Sequence, residues 1–472
     1  MRLLITTQAL DLDDPILGFF HRWLEEFSKH CESIHVLCLK EGRHNVPANV
    51  FVHSLGKEKG RSRIKYIFNF YRYMWRLRKE YDSVFVHMNS EYVVLGGIFW
   101  RLSGKRIVLW RNHKKSGFMT SCAVRIVHAV CYTSPSAFVA KFKNAVRMPI
   151  GIDTKFFSPG VESPQPHSIL FLGRLDPVKN VDVFVRALDQ LHETDVGFFA
   201  DIVGDPTDPK SDYAHDVRNL VSPLVLEGVA AMHGGVTNEA ARDLYRTHVL
   251  YVNLTPSGSF DKTIGEALAV GCLVVAANDA VKALLPEKLF VHDPNSIEET
   301  AHALKAAFEI GEEEQRAIAS QSRAAIIRDH SLALLAEKLT ALLQSAPDPF
   351  ALFVRFCIVG AIGAVVQLLV LYVLHGVFEM WYLSASVLAF LAAALVGYLL
   401  QRGWTFRSKS ARVVREAGGY GLILVANFFL NVTFMYVLVD VLGAWYLGAQ
   451  ALSIAVLSVG SFFANRAFVF KK

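Results

Sequence analysis

The chain has 472 residues, 52% of them hydrophobic and 19% charged, with a net charge of +6. That length supplies two or three ordinary domains with cores of their own, and a charge this small, spread along the chain, excludes the dense basic face that nucleic-acid binding needs. Six cysteines (Cys31, Cys38, Cys122, Cys131, Cys272, Cys357) form no CxxC pair and sit beside no His-rich run, which excludes a zinc site and a disulfide framework and fits a reducing cytosol.

The chain opens on an apolar segment, residues 3–7, that runs at once into Asp11, Asp13 and Asp14. It lacks the flank and length of a signal peptide and reads as a first buried strand. A loop with Gly18 leads into a helical pattern over residues 19–27, with apolar positions three and four apart. Further strands are expected at 34–39, 83–87 and 107–110, the last two ending near His87 and His113. Strands alternating with helical patterns imply a parallel sheet flanked by helices. Between the first strands lies a basic and aromatic stretch, residues 57–79, in which Lys57, Lys59, Arg61, Arg63, Lys65, Arg72, Arg76, Arg78 and Lys79 interleave with Tyr66, Phe68, Phe70, Tyr71, Tyr73 and Trp75. Such a helix suits an anionic membrane surface; a surface helix packed on its own lobe is the plainer alternative.

A second alternating series occupies 168–172, 197–203, 248–252 and 273–276, separated from the first by a Gly- and Pro-rich hinge at 149–164. The fold class is therefore α/β, two Rossmann-like lobes spanning 1–149 and 150–345. In the second lobe Phe171-Leu172-Gly173-Arg174 leads to Lys179: a strand ending in glycine lets a diphosphate approach the backbone, and Arg174 and Lys179 offer it two positive charges. Some eighty residues on, a small-residue loop from Thr255 through Gly258 and Asp261 enters a helix at Lys262 and Thr263. Free amides at such a helix start bind anions, and Glu266 in the same region can accept ribose hydroxyls.

After residue 350 the composition changes. Four apolar stretches, at 356–375, 382–400, 420–439 and 446–464, each have about 19 to 20 residues, or about 30 Å as helix, enough to cross a bilayer core. A shift of 64 positions lays the second pair on the first: Trp381 falls on Trp445, Gln367 on Asn431, Gln401 on Asn465 and Arg402 on Arg466. The region 350–472 is thus a duplicated two-helix hairpin, a parallel repeat. Arg355, Arg402, Arg407, Lys409, Arg412, Arg415, Arg466, Lys471 and Lys472 all lie at one set of ends, while the loops around Glu379 and Asp440 carry no Lys or Arg. By the positive-inside rule both ends of this region, and the α/β half attached to it, face the cytosol, with Trp381 and Trp445 anchoring the far interface. Arg402 and Arg466 are candidates for a lipid phosphate, against simple snorkelling at a helix end; Gln367 and Asn431 face a shared interior or bond neighbouring helices.

These residues carry two resemblances. Residues 350–472 resemble the GtrA-like family of four-helix membrane proteins through Arg355-Phe356, Val359-Gly360 and the paired helix ends Gln401-Arg402-Gly403-Trp404-Thr405-Phe406 and Asn465-Arg466-Ala467-Phe468-Val469-Phe470. Residues 1–345 resemble the group-one, retaining GT-B glycosyltransferases of family four, through Gly173-Arg174 with Lys179, through Thr255 to Gly271, and through Pro149-Ile150-Gly151-Ile152-Asp153 with Phe157 and Pro159. The second resemblance implies a nucleotide-diphosphate sugar as substrate and no cofactor or obligatory metal. It assigns Arg174 and Lys179 to the leaving diphosphate, Glu266 to the ribose, and the amides of Lys262 and Thr263 to phosphate. His113 matches a cleft histidine near the transferred sugar, and His87 and Gly18 match the acceptor side. The first acid of the family's glutamate pair is Gly258 here, with Asp261 as the substitute contact to the donor sugar. Together the resemblances imply an inner-membrane enzyme that transfers sugar to a polyprenyl phosphate or lipid-linked saccharide, with a homo-oligomer through the membrane domain as a further expectation. The rival is a lipid-linked-sugar flippase whose α/β half only binds.

Overall fold

The computed structural model describes residues 1–14, 17–60, 62–194, 196–258, 260–344, 349–408 and 410–470. Arg61, Lys409, Lys471 and Lys472, named above, and the boundary at 345 lie outside these residues. The chain divides into two units, Met1–Trp100 with Lys105–Ser345, and Ala346–Lys472 with Arg101–Gly104.

The first unit holds two parallel sheets. Strands β1 (Arg2–Leu10), β2 (Ser33–Glu41), β3 (Val50–Ser54), β4 (Ser83–His87), β5 (Arg106–Trp110), β6 (Ala129–Tyr132) and β7 (Ala145–Arg147) form a 7-stranded sheet in the order β3-β2-β1-β4-β5-β6-β7. Strands β8 (Gln165–Leu172), β9 (Phe199–Val203), β10 (Ala230–His233), β11 (His248–Asn253) and β12 (Leu273–Ala276) form a 5-stranded sheet in the order β10-β9-β8-β11-β12. Parallel strands require crossovers, so helices cover both faces and the strand centres, such as Leu3–Ile5 of β1 and Ile169–Phe171 of β8, are apolar and buried. Along β1, Leu3 and Ile5 enter one core and Leu4 the other, which is the two-residue alternation of a pleated strand.

Each sheet reverses its strand order beside its first strand, between β1 and β4 and between β8 and β11, and ligand clefts form outside the carboxyl ends of strands at such points. The candidate residues of the first unit sit at or just beyond such ends: His87 ends β4, His113 follows β5, the Gly173 to Lys179 turn follows β8, and the loop to Asp261 follows β11. The helix Leu332–Gln344 departs from the expected division at residue 150: its Leu335, Leu339 and Leu343 pack into the core of the 7-stranded sheet, so by packing it belongs to the first lobe. The expected basic helix is shorter than 57–79; Gly60, at φ 132, breaks it, and the helix proper is Arg63–Arg76, capped by Ser62.

Among its described residues the second unit has four helices long and apolar enough to cross a membrane, Leu352–Val377, Tyr382–Thr405, Val413–Val441 and Gly448–Val469, with mean hydropathy from 1.5 to 2.5. The duplication persists in the backbone. Wide π-helical turns end all four, at Tyr372–Val377 and Tyr436–Val441 and at Gln401–Thr405 and Asn465–Val469, in corresponding positions of the two copies. Positive φ recurs at Glu379 (51°) and its counterpart Gly443 (67°). The aromatic core repeats too: Tyr398–Phe470 and Phe462–Phe406 are matched pairs at 6.3 and 6.2 Å, both inclined by 24°. Phe406 stacks on its own counterpart Phe470 at 4.7 Å, so the two copies are related by an approximate two-fold passing between these rings.

Candidate active site

The site forms where β8 and β11 end. Gly173 donates its amide to the Val203 carbonyl at 3.0 Å, and a Cβ on neighbouring Gly204, whose φ is 150°, would fall 1.8 Å from the Gly173 carbonyl oxygen. Only glycine permits that approach. The chain then turns through Arg174, Asp176 and the short helical turn Pro177–Lys179, and Asn180 follows at φ 49°, its side-chain amide donating to the carbonyls of Leu254 (3.2 Å) and Pro294 (3.0 Å). This anchoring aims Lys179 inward while Arg174 stays half exposed, pairing with Asp176 at 3.0 Å and bonding Thr207 at 3.0 Å.

Lys179 ends on Asp261, and Asp261 is the hub. It accepts from the Lys179 ammonium, from the Asn253 amide at 3.0 Å, from the Thr255 hydroxyl at 3.2 Å and from the Thr263 hydroxyl at 3.0 Å. It also caps the helix Lys262–Val270 by accepting the Thr263 amide at 3.4 Å. Burial by itself would raise the Asp261 carboxyl, but the Lys179 charge and these hydrogen bonds outweigh it and hold the group at about 2. A carboxylate has about four acceptor positions, and these are filled. That corrects the expectation for Asp261: as built, it orients Lys179 and the helix start and has no capacity left for sugar hydroxyls. It also occupies the Thr263 amide that was assigned to phosphate. Sequence reasoning did not single out Asn253; a polar residue ending the apolar strand β11 was the available signal.

One turn further into the helix, Glu266 lies buried beside Lys262 in a pocket shared with Arg22, Trp23 and Phe19 of the first lobe and with Asp153. The Lys262 ammonium sits over the Phe19 ring at 3.6 Å. Burial pushes the Glu266 carboxyl up and the Lys262 ammonium down, each tempered by the other's charge. Arg22 bridges the lobes, 3.8 Å from Asp153 and 3.1 Å from Glu239, and stacks over Phe156.

In the first lobe His87 is buried. Its Nδ1 lies 3.2 Å from the Thr7 hydroxyl, Phe20 stacks on it at 4.4 Å, and burial followed by the nearby Lys262 charge lowers it to about 3. A neutral ring enclosed in this way is not presented to an acceptor, which corrects the acceptor-side expectation for His87. His113 is exposed on the loop after β5, its Nδ1 against the backbone of Lys115. Gly18 lies on the loop before the helix Phe20–Ser28, where a Cβ would come within 2.8 Å of the Asp14 carbonyl. Among the described residues no three His, Cys, Asp or Glu side chains converge as a metal site.

The model for glycosyl transferases group 1 matches residues 166–309, and the model for the GtrA/DPMS transmembrane domain matches residues 355–470. The chain joins a group 1 glycosyltransferase domain to a GtrA/DPMS transmembrane domain. Over 143 residues it is 28% identical to the D-inositol 3-phosphate glycosyltransferase of Acidothermus cellulolyticus, which is 28% of this chain and 32% of that enzyme, so the chain spans about a third of that relative's length. Its fold is similar to Anabaena Alr3699/HepE, solved in complex with UDP, at 17% identity and a TM-score of 0.59 over 73% of this chain and 100% of that one. It is also similar to the sucrose-phosphate synthase of Thermosynechococcus elongatus, at 15% identity and a TM-score of 0.56 over 72% of this chain and 98% of that one. These neighbours establish a GT-B fold.

The GtrA/DPMS domain treats its duplicated polar residues unequally. Arg402 is neutralised by Glu416 at 2.7 Å and also donates to the Ser410 carbonyl at 2.6 Å. Arg466 is exposed and has no such partner among the described residues. Asn431 accepts from Gln450 at 3.3 Å and Asn427 donates to Ser461 at 2.7 Å, stitching the third and fourth helices together, while Gln367 is half-buried in the first. The buried amides Gln401 and Asn465 bond backbone carbonyls, of Phe356 at 3.2 Å and of Ser461 at 2.9 Å.

If Glu266 accepts the ribose of a nucleotide-sugar donor, as the resemblance implies, donor affinity is expected to fall as pH drops below neutral. A raised Glu266 takes its proton there, well above the ordinary carboxylate range, and a protonated acid is a poorer acceptor for ribose hydroxyls. Donor dissociation constants across the acid side of neutrality check this: Glu266→Gln should bind weakly and lose the acid-side fall, and an unchanged acid-side fall in that variant assigns the effect elsewhere; the basic side is left out because Lys262, lowered by burial, loses in that variant the support of the Glu266 charge.

Proposed function

We propose that this protein is a retaining, metal-independent glycosyltransferase that moves a sugar from a nucleoside-diphosphate donor to a polyprenyl phosphate or lipid-linked saccharide in the cytoplasmic membrane. The observation that carries the reading is the placing of Arg174, held by Asp176 and Thr207, and Lys179, held by Asp261, on the turn after β8 in a chain that also carries a GtrA/DPMS membrane domain. Positive groups preorganised at a leaving diphosphate stabilise the charge that develops there. In this reading Glu266 accepts the ribose hydroxyls, and exposed His113, on the loop after β5, serves the transferred sugar. In the membrane domain Arg466, not Arg402, is the better partner for a lipid phosphate, because Glu416 already neutralises Arg402. Incubating membranes that contain the protein with a panel of labelled nucleotide sugars, then extracting lipid, tests the reading. Label in the lipid fraction supports it. A carrier is the second reading, favoured by Gly258 in place of an acid; lipid-linked sugar crossing the membrane with no transfer from any donor would establish it instead.

A lipid acceptor needs the catalytic unit at a bilayer. On the helix Arg63–Arg76, Ile64, Phe68, Tyr71 and Trp75 form one exposed apolar stripe, flanked by exposed Arg63, Lys65, Arg72 and Arg76, and Phe118 stands 83% exposed. An apolar stripe with basic flanks binds anionic interfaces. Residues 1–344 are therefore expected to bind anionic vesicles, less so as salt screens the charges and much less with Phe68→Ser and Trp75→Ser together. Co-sedimentation measures it, and binding indifferent to both changes returns the helix to a packing role. For orientation, tags near Ser408 are expected in the cytosol and tags near Glu379 and Asp440 outside; protease protection of the Ser408 tag in inside-out vesicles would reverse the topology.

A further inference from the structure

Gly258 stands where an acid is expected, and the first lobe presents a cation to that position. Lys114, on the loop after β5, extends to the second lobe: its ammonium lies 3.5 Å from the Ser257 carbonyl, and its Cδ would stand 3.5 Å from a Cβ built on Gly258. That is ordinary van der Waals contact, so the stem of Lys114 lies over the glycine and does not merely pass near it. Two of the three ammonium donors remain for a ligand. Around it the run Arg111-Asn112-His113-Lys114-Lys115 is basic and contains no acid, and the Arg111 guanidinium is held in place by the Met88 carbonyl at 2.9 Å. Of the acids in this part of the second lobe, Asp261 is engaged by Lys179, Asp176 by Arg174 and Thr207, and Glu266 faces Lys262 and Arg22, while exposed Asp279 donates its amide to the Ser257 hydroxyl at 2.9 Å.

A carboxylate at position 258 would accept hydrogen bonds from neutral sugar hydroxyls and repel an anionic sugar. Glycine with a lysine laid across it does the opposite: it leaves room and supplies a charge-assisted donor. We propose that Lys114 and Gly258 form an anion subsite for a carboxylate carried by the donor sugar, so that the transferred unit is a uronosyl-type residue and not a neutral hexose. The inference rests on the glycosyltransferase reading above and adds the class of sugar.

The experiment uses the full-length protein in detergent or membranes, with pairs of nucleotide sugars that share a base and differ only in carrying a 6-carboxylate or a 6-hydroxymethyl group. The native protein is expected to favour the carboxylated member in kcat/KM by about tenfold or more, the scale of one charge-assisted contact. Lys114→Met should remove most of that preference while leaving the neutral donor within about twofold, and Lys114→Arg should restore part of it. Gly258→Glu should reverse it; Gly258 has no positive φ, so the substitution brings no backbone strain. A structural role for Lys114 would lower both donors together and leave their ratio unchanged. Preference for the neutral donor, or an unchanged ratio in Lys114→Met, overturns the proposal; equal losses on both donors overturn it too and move Lys114 to the diphosphate or to an acceptor phosphate. Transfer from neutral donors alone leaves the glycosyltransferase reading standing, whereas no transfer from any donor together with no binding of nucleoside diphosphate removes that reading itself.

Discussion

Asp261→Ala is expected to destabilise the catalytic unit by about 3–5 kcal/mol, the cost of leaving one partner of a buried ion pair uncompensated. The substitution strands the Lys179 ammonium, whose side chain is only 13% exposed, and at the same time uncaps the helix Lys262–Val270 and frees Asn253 and Thr255 of their acceptor. In a unit of this size, melting should fall by about 4–7 °C. Asp176→Ala is the milder comparison: its Arg174 partner is half exposed, a pair of the kind that contributes about 1 kcal/mol or less, and the substitution otherwise releases only the Thr207 amide and hydroxyl. The pH dependence follows with a definite sign. Asp261 is held at about 2 against an ordinary 3.8, so its contribution is present above the ordinary value and is lost as pH falls from there towards 2. Thermal denaturation of the parent and both variants at pH 7 and in acid decides the matter: an Asp261→Ala protein that melts with the parent would show that the pair does not anchor the site.

The expected fold and the broad placement of chemistry were legible because they rest on strong periodic signals. Strands such as β1, β4, β8 and β11 each carry a run of three or more apolar residues that stands out, and the four apolar stretches after residue 350 are unambiguous in length. Strands β3, β6, β7 and β10 were not found: each has three to five residues, and each is defined by its neighbour's register more than by its own composition. The 64-residue repeat was visible from Trp381 and Trp445 alone, but not the consequence that Phe406 would stack on its own counterpart. The hidden part of the site is electrostatic. Sequence spacing put Lys179 and Asp261 in one neighbourhood; it carried no information that Asn253, Thr255 and Thr263 would converge on the same carboxylate and fill it. Nor could it distinguish Arg402 from Arg466, since the difference lies in Glu416, which has no counterpart in the other copy.

That electrostatic arrangement separates the expected kinetic effects of neighbouring residues. Arg174 is half exposed, and its pairing with Asp176 is of the weak, solvated kind, so it is available to a diphosphate whose charge grows as the sugar leaves. An interaction that strengthens only in the transition state is lost from turnover, not from donor binding. Arg174→Ala is accordingly expected to lower kcat by about 10²-fold or more, on the order of 3 kcal/mol, with a small change in KM. If Glu266 holds the ribose as proposed, Glu266→Ala removes a contact that hardly changes during the reaction, so its loss should raise the donor KM and leave kcat closer to the parent. Lys179 differs from both: Lys179→Ala also leaves Asp261 buried without its cation, so its kinetic effect is interpretable only beside a melting curve. Initial rates of transfer to extracted lipid, measured against donor concentration for Arg174→Ala and Glu266→Ala, give the split directly. If both variants lose only KM, Arg174 serves the bound donor and not the leaving group, and stabilisation of the departing diphosphate must come from the Lys179 ammonium and the start of the helix Lys262–Val270.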